Sequence, residues 1–327
     1  MSFDLLVTAP RLEAAGQDLL EAAGCRLDFV SFEGGRAEME RKLAERAWDG
    51  VISRFVPISA EAMDRCPSLK VISRAAVGVD AIDLDAATAR GIAVLTAAGA
   101  NAQSVAEFTI GLLFAAARDI VQHDIATRAG GWDKRKLGVE LHGRTLGLVG
   151  YGDIARRVAP IALGIGMRVI AWGPRLHQAG DIAPVERASD LHDLLRRSDV
   201  VSLHAPLTAQ NRGMIGAAEI ALIGPDGILV NTARGGLVQE DALAAALKEG
   251  RLRAAALDVR PVEPPPAETV LTGVPNLVLA PHMGSATAAS RDRTASIAAR
   301  NALDLLQGRP VALPACANPA VFAKLGG

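Results

Sequence analysis

The segment Thr145-Leu-Gly-Leu-Val149, running straight into Gly150-Tyr-Gly-Asp-Ile-Ala155, constrains the fold more than any other part of this chain. The first five residues read as a short buried strand. The glycines fit the spacing G-x-G-x-x-G/A, with Ala155 third. A helical pattern follows, in which Ile154, Val158, Ile161 and Ala162 are spaced to cover one face. In such a turn Gly150 makes the tight bend, Gly152 lets a pyrophosphate approach the backbone, and Ala155 allows close helix–strand packing. The helix N-terminus then offers free N–H groups to the phosphates. With 32 glycines among 327 residues the triplet alone carries little weight. A second strand, Met167-Arg-Val-Ile-Ala-Trp172, falls where a βαβ unit requires it, and that context predicts dinucleotide binding.

Three later stretches carry proton chemistry: Asn231-Thr-Ala-Arg-Gly-Gly236, Asp258-Val-Arg-Pro-Val-Glu-Pro264 and Pro281-His-Met-Gly-Ser-Ala-Thr287. They supply Arg234, Glu263 and His282 among small residues, Pro and Gly. A guanidinium grips a carboxylate through two parallel charge-assisted hydrogen bonds. An imidazole passes a proton near neutral pH, and an adjacent carboxylate fixes its tautomer and favours its charged form. This equips a site to move a proton on a hydroxyl or carbonyl next to a carboxylate. Nothing in the trio accepts a hydride, so a cofactor must.

Composition narrows the partners. Lys and Arg number 35 against 36 Asp and Glu, a formal net charge of −1, which gives no electrostatic case for nucleic acid or an acidic membrane. Aromatic residues make up 3%, too few for base-stacking platforms. The cysteines Cys25, Cys66 and Cys316 show no metal-ligand spacing and are expected to be reduced, buried thiols of a cytoplasmic protein. No apolar run approaches the ~20 residues that span a bilayer, and the first residues enter a strand without a leader.

Length and pattern predict two α/β domains. Strands are expected at Leu5–Thr8, Arg26–Val30, Gly50–Ser53, Leu69–Ser73 and Ile92–Leu95. They resume near Val169–Trp172, Val200–Leu203, Ile228–Asn231, Ala254–Leu257 and Leu277–Leu279. A helix at Ala102–Arg118, with Asn101 as N-cap, carries the chain from one unit to the other, and a last helix at Thr287–Gln307 returns it. The expectation is a discontinuous substrate-binding domain, 1–97 plus 288–327, and a Rossmann domain, 98–287. Both would be doubly wound parallel sheets, Rossmann-like or flavodoxin-like, with a cleft between them.

Together with Ala75-Ala-Val-Gly-Val-Asp-Ala-Ile-Asp83, Ser104-Val-Ala-Glu107 and Leu203-His-Ala-Pro-Leu-Thr208, these motifs resemble the D-isomer-specific 2-hydroxyacid dehydrogenases over roughly residues 50–290. The resemblance implies that Arg234 binds the substrate carboxylate and carbonyl, that His282 is the acid/base and that Glu263 supports it. The backbone at Val77 and Gly78 would meet the substrate carboxylate, with Ser285 nearby. Cofactor contacts are implied at Gly150, Gly152, Asp153, Ile154, Gly173, Arg175, His204, Pro206, Thr232, Ala233, Asp258 and Gly284, with Asp258 at the nicotinamide carboxamide. A homodimer through the cofactor domains is also implied. The function expected is reduction of a small 2-keto acid, glyoxylate or hydroxypyruvate, or the reverse oxidation. A phosphoglycerate-type substrate competes within the class, and a dinucleotide-sensing corepressor is the reading from another class.

Several positions depart from the family pattern. Ala76 stands where many relatives have Gly, and Arg260 replaces an aromatic common beside Asp258. Val77 argues against phosphite oxidation, and Glu263 against formate oxidation. Gly284-Ser-Ala-Thr287 resembles glyoxylate/hydroxypyruvate reductases more than phosphoglycerate enzymes. The sequence ends about twenty residues past its last helix, so no regulatory domain is expected. Gly173 occupies the place where relatives that use NAD usually carry Asp, the acceptor for the ribose 2′-OH. With Arg175 two residues on, NADP is favoured and NAD remains possible. His123, His142, His177 and His192 read as structural, His204 as facing the cofactor, and Trp132 as either an interface anchor or a core residue.

Overall fold

Two parallel sheets organise the computed structural model, which describes residues 2–174, 176 and 180–325. The first contains β1 (Asp4–Val7), β2 (Arg26–Phe29), β3 (Gly50–Ser53), β4 (Val71–Arg74) and β5 (Ala93–Thr96), in the order β2-β1-β3-β4-β5. The second contains β6 (Thr145–Val149), β7 (Arg168–Trp172), β8 (Glu186–Arg187), β9 (Val200–Leu203), β10 (Ile228–Asn231), β11 (Ala254–Leu257) and β12 (Leu277–Leu279). Its order is β12-β11-β10-β9-β6-β7-β8. The first order is that of flavodoxin-like sheets. The second is the Rossmann order extended by one strand. Two compact units result: one runs to Asn101 and resumes at Ala286, and the other is Ala102–Ser285.

The central strands are buried on both faces, as parallel sheets covered by helices require; β3, β5, β9, β10 and β11 have every residue buried. The helix after the glycine turn, Ala155–Gly164, buries Ala155, Val158, Ala159 and Ala162. The expected face is therefore shifted: Ile161 is only half-buried, and Ile154 precedes the helix as its cap. Small residues form the seam because this helix packs closely on the long apolar helix Ala102–Ala117. Leu69 is buried but belongs to the turn before β4, where its N–H donates to Cys66 O. The edge strand β8 was not expected, since two exposed polar residues carry no apolar signal. Trp132 is 78% exposed, which removes the core reading. Cys25, Cys66 and Cys316 are free and buried. Among the described residues, no helix is long and apolar enough to cross a membrane.

Candidate active site

In the second unit every singled-out loop leaves the carboxyl end of a strand, the edge at which open α/β sheets bind ligands. Gly150 follows β6, Gly173 β7, His204 β9, Thr232 to Arg234 β10, Asp258 β11 and His282 the end of β12. Strand order reverses between β6 and β9, and there Gly150 meets His204. Gly150 has φ +91°, and a Cβ on it would lie 2.8 Å from the His204 carbonyl. Only glycine satisfies both the dihedral and the space. A Cβ on Gly152 would meet nothing within 4 Å, so its missing side chain leaves room for a ligand rather than for protein. Asp153 is exposed on this turn and Ile154 is half-buried.

His204 carries a second sign of a ligand. Its Nε2 hydrogen-bonds Ser202 Oγ at 2.9 Å, while its Nδ1 is buried without a partner. Desolvation pulls the imidazole down to about 4, so the ring is neutral at ordinary pH. An unpaired buried polar atom beside an open glycine turn fits a dinucleotide that completes its hydrogen bonding. Pro206 is exposed and its carbonyl accepts from Asn211 Nδ2 at 2.7 Å, which staples the loop. Gly173 has room for a side chain: its nearest contact would be Gly150 Cα at 3.7 Å. Arg175 and His177 lie outside the described residues.

The loop after β10 is held from three sides. Asn231 Oδ1 accepts from Ala233 N at 3.0 Å and its Nδ2 donates to Arg234 O at 2.9 Å. Thr232 is buried with its hydroxyl 2.8 Å from that of Thr109. Thr109 donates its one hydrogen to Val105 O, so Thr232 is the donor between them. Arg234 is half-buried, and its Nη1 donates to Ala233 O at 2.8 Å. A Cβ on Gly235 would fall 2.0 Å from the carbonyl carbon of Arg260, so the Arg234 loop and the Glu263 loop touch through their backbones.

His282 adopts a left-handed conformation, φ +57°, and Asp258 explains how it is held there. The buried Asp258 carboxylate accepts from Met283 N at 2.7 Å and Gly284 N at 2.8 Å, while its carbonyl accepts from His282 N at 2.8 Å. Both carboxylate oxygens thus organise the histidine loop, a role for Asp258 that the sequence did not suggest. Gly284 is buried against that carboxylate, and Ser285 ends the loop half-buried. The His282 ring presents Nδ1 to Glu263 Oε2 at 2.6 Å. Glu263 Oε1 accepts from Arg260 N at 2.8 Å. The imidazole remains 51% exposed, so Nε2 is open to a small molecule. A carboxylate on Nδ1 with Nε2 free is the arrangement of a histidine that exchanges protons through Nε2.

In the first unit, Val77 and Gly78 follow β4 in a loop fixed by Arg74, whose Nε donates to Gly78 O at 3.0 Å and whose Nη1 donates to Ser53 Oγ at 3.1 Å. Val77 is exposed, and the carbonyl of Ala76 is taken by Ala97 N at 3.0 Å. Sequence reasoning missed Arg74 and Asn211, which hold loop carbonyls, and Thr109, Glu240 and Thr269, which hold the side chains of Thr232 and Arg260. Only Arg260, singled out as a departure, carried any signal.

Residues 110–284 match the model of the D-isomer specific 2-hydroxyacid dehydrogenase NAD binding domain. Glyoxylate reductase of Thermofilum pendens is 43% identical over 257 residues, covering 77% of this chain and 76% of that protein. The chain belongs to the D-isomer-specific 2-hydroxyacid dehydrogenase family. D-3-phosphoglycerate dehydrogenase of Methanocaldococcus jannaschii is 39% identical over 93% of this chain, and the match spans 57% of that relative's length. Among solved structures, the TT0316 protein from Thermus thermophilus superimposes with a TM-score of 0.86 at 37% identity, covering 96% of this chain and 99% of that one. The second unit is thus the family's domain for a nicotinamide dinucleotide.

Proposed function

We propose that this protein reduces small 2-keto acids such as glyoxylate or hydroxypyruvate, or oxidises the matching D-2-hydroxy acids, with a nicotinamide cofactor. The observation that carries the proposal is the Glu263–His282 contact of 2.6 Å, built beside the Arg234 loop on the edge that bears the glycine turn. A bound nicotinamide would supply or accept the hydride at the substrate's C2. His282 Nε2 gives the proton to the carbonyl oxygen in reduction and takes it back in oxidation, with Glu263 holding the proton on Nδ1. Arg234 orients the carboxylate and polarises the carbonyl. The Val77–Gly78 backbone would contribute N–H donors to the same carboxylate. Gly150, Gly152 and the neutral His204 would hold the dinucleotide, with Asp153, Ile154, Pro206, Thr232, Ala233 and Gly284 along its path. Asp258 holds the loop that presents His282. The test is a scan of 2-keto acids with both reduced nicotinamides. Turnover of glyoxylate or hydroxypyruvate is expected; a clear preference for a phosphorylated acid would favour a phosphoglycerate-type enzyme, and no turnover at all would sink the proposal.

NADPH is the proposed cofactor. An Asp at position 173 would repel a 2′-phosphate, and Gly173 removes that repulsion together with the acceptor for an unmodified 2′-OH. Space at Gly173 for a side chain makes Gly173→Asp a clean test. The variant should move kcat/KM toward NADH by about tenfold, and an unmodified protein that already prefers NADH would contradict the assignment.

A homodimer is proposed from the segment after the long helix. Helix Ile120–Arg128 has no buried residue, and Ile120, Ile125, Trp132 and Leu137 are all exposed. Exposed large apolar side chains gathered in one segment favour association, and light scattering that returned a monomer would remove the proposal. The buried free thiols are in keeping with a cytoplasmic location, and a secreted protein with oxidised cysteines would overturn it.

A further inference from the structure

We infer that Arg260 and Glu240 form a brace that sets Glu263 and Arg234 relative to one another, which makes Arg260 a positioning residue of this site. The inference rests on reading His282 and Arg234 as the working groups. Arg260 enters through three contacts. Its N–H holds Glu263 Oε1 at 2.8 Å, fixing the oxygen that is not on His282. Its main chain lies so close to Gly235, next to Arg234, that a Cβ there would fall 2.0 Å from the Arg260 carbonyl carbon. Its guanidinium forks onto Glu240, Nε to Oε1 and Nη2 to Oε2, and Nη2 also reaches Thr269 Oγ1 at 3.2 Å.

Each partner belongs to a different piece of the site. Glu240 opens the helix Glu240–Lys248, six residues after Arg234. Thr269 lies beyond the proline-rich loop that carries Glu263, so the guanidinium closes that loop at its far end. The Arg260 and Glu240 side chains are 11% and 16% exposed, which keeps salt and water from screening the fork. Planar bidentate pairing fixes direction as well as distance, and a lysine would supply only a point charge. An aromatic at this position would fill space without gripping Glu240. The brace is therefore a property of this chain's own residues.

Arg260→Gln, Glu240→Gln, the double variant and Arg260→Lys test the brace, with kcat, dinucleotide affinity by fluorescence titration and the His282 tautomer by 15N NMR as readouts. Arg260→Gln should lower kcat by about tenfold to a hundredfold, the range expected from misplacing a reacting group by up to an ångström, while dinucleotide affinity holds. In a Glu263→Gln background the same change should cost much less, and the double variant should be no worse than either single one. In the neutral ring, the fraction of His282 protonated on Nε2 should rise in Arg260→Gln as it does in Glu263→Gln. Should Arg260→Gln not fold, Arg260→Lys keeps the charge, loses the fork and should show the same shifts at smaller size. A loss of thermal stability with kcat and tautomer unchanged would overturn the brace. Absence of keto-acid turnover in the unmodified protein would defeat the proposed function instead, and the tautomer would still decide the brace.

Discussion

The two units share an architecture yet use their tightest backbone contacts differently. In the first, Gly16 lies where a Cβ would meet Ala295 O at 2.6 Å, bringing helix Ala14–Ala22 onto helix Ala288–Leu306. Gly50 likewise gives way to Val71 and Leu5 inside the sheet. These are packing contacts, buried in a core. The second unit has packing glycines as well, such as Gly147 against Ser198, but it adds three at the carboxyl ends of its strands. Gly150 faces His204, Gly235 faces Arg260, and Gly284 faces Asp258. A close approach at that edge serves no core. It brings one loop backbone onto another so that side chains from different strands converge at that edge.

The largest contrast should come from adding one methyl group in each unit. Gly235→Ala must push the Arg234 and Glu263 loops apart, because the atoms it meets are backbone; stability should fall, and kcat per folded molecule should fall about a hundredfold as well. Gly16→Ala should instead lower stability by about 1 kcal/mol, the overpacking cost of about 1–3 kcal/mol less the ~1 kcal/mol that alanine gains in a helix. Its kcat per folded molecule should hold. Thermal melts beside active-site-normalised kinetics decide this, and equal kinetic effects in both variants would erase the distinction.

A second test sharpens the role of the edge. Arg234→Lys keeps charge but loses the planar fork, so kcat/KM for a good keto acid should fall by about tenfold to a hundredfold, the 1.5–3 kcal/mol of a charge-assisted contact. Unchanged kinetics would make Arg234 structural.

A last test, on stability alone, concerns the His204 end of the edge. Its native imidazole sits at about 4, against 6.5 for the free side chain. Between those values the unfolded chain binds a proton that the native state refuses. Stability is therefore full above about pH 6.5 and falls as pH drops toward 4, by about 3 kcal/mol in all. His204→Asn should lose that part of the acid sensitivity in urea unfolding measured across this window. Parallel pH dependences for the two proteins would show that His204 is not held neutral.

The sequence made the fold legible because buried parallel strands are apolar runs; β3, β9, β10, β11 and β12 have the bounds expected of them. The proposed working groups were singled out for another reason: Arg234, Glu263 and His282 stand beside Gly and Pro at strand ends, where a side chain has little else to do. What escaped was support. Asp258 grips two backbone N–H groups 25 and 26 residues away, and Arg260 reaches Glu240 20 residues back. No local pattern encodes such pairings, because they depend on which loops the sheet order brings together. The Ile161 error has a similar origin: periodicity found a helix face, but close packing against a neighbouring helix chose the alanines.

The central claim is that the carboxyl edge of the seven-stranded sheet does proton chemistry through His282. The most direct measurement is the turnover of His282→Asn with glyoxylate or hydroxypyruvate, alongside its dinucleotide affinity. Turnover should fall about 10²–10⁴-fold, the range for removal of a general acid, with affinity for the dinucleotide retained. Near-unmodified turnover in that variant would contradict the account.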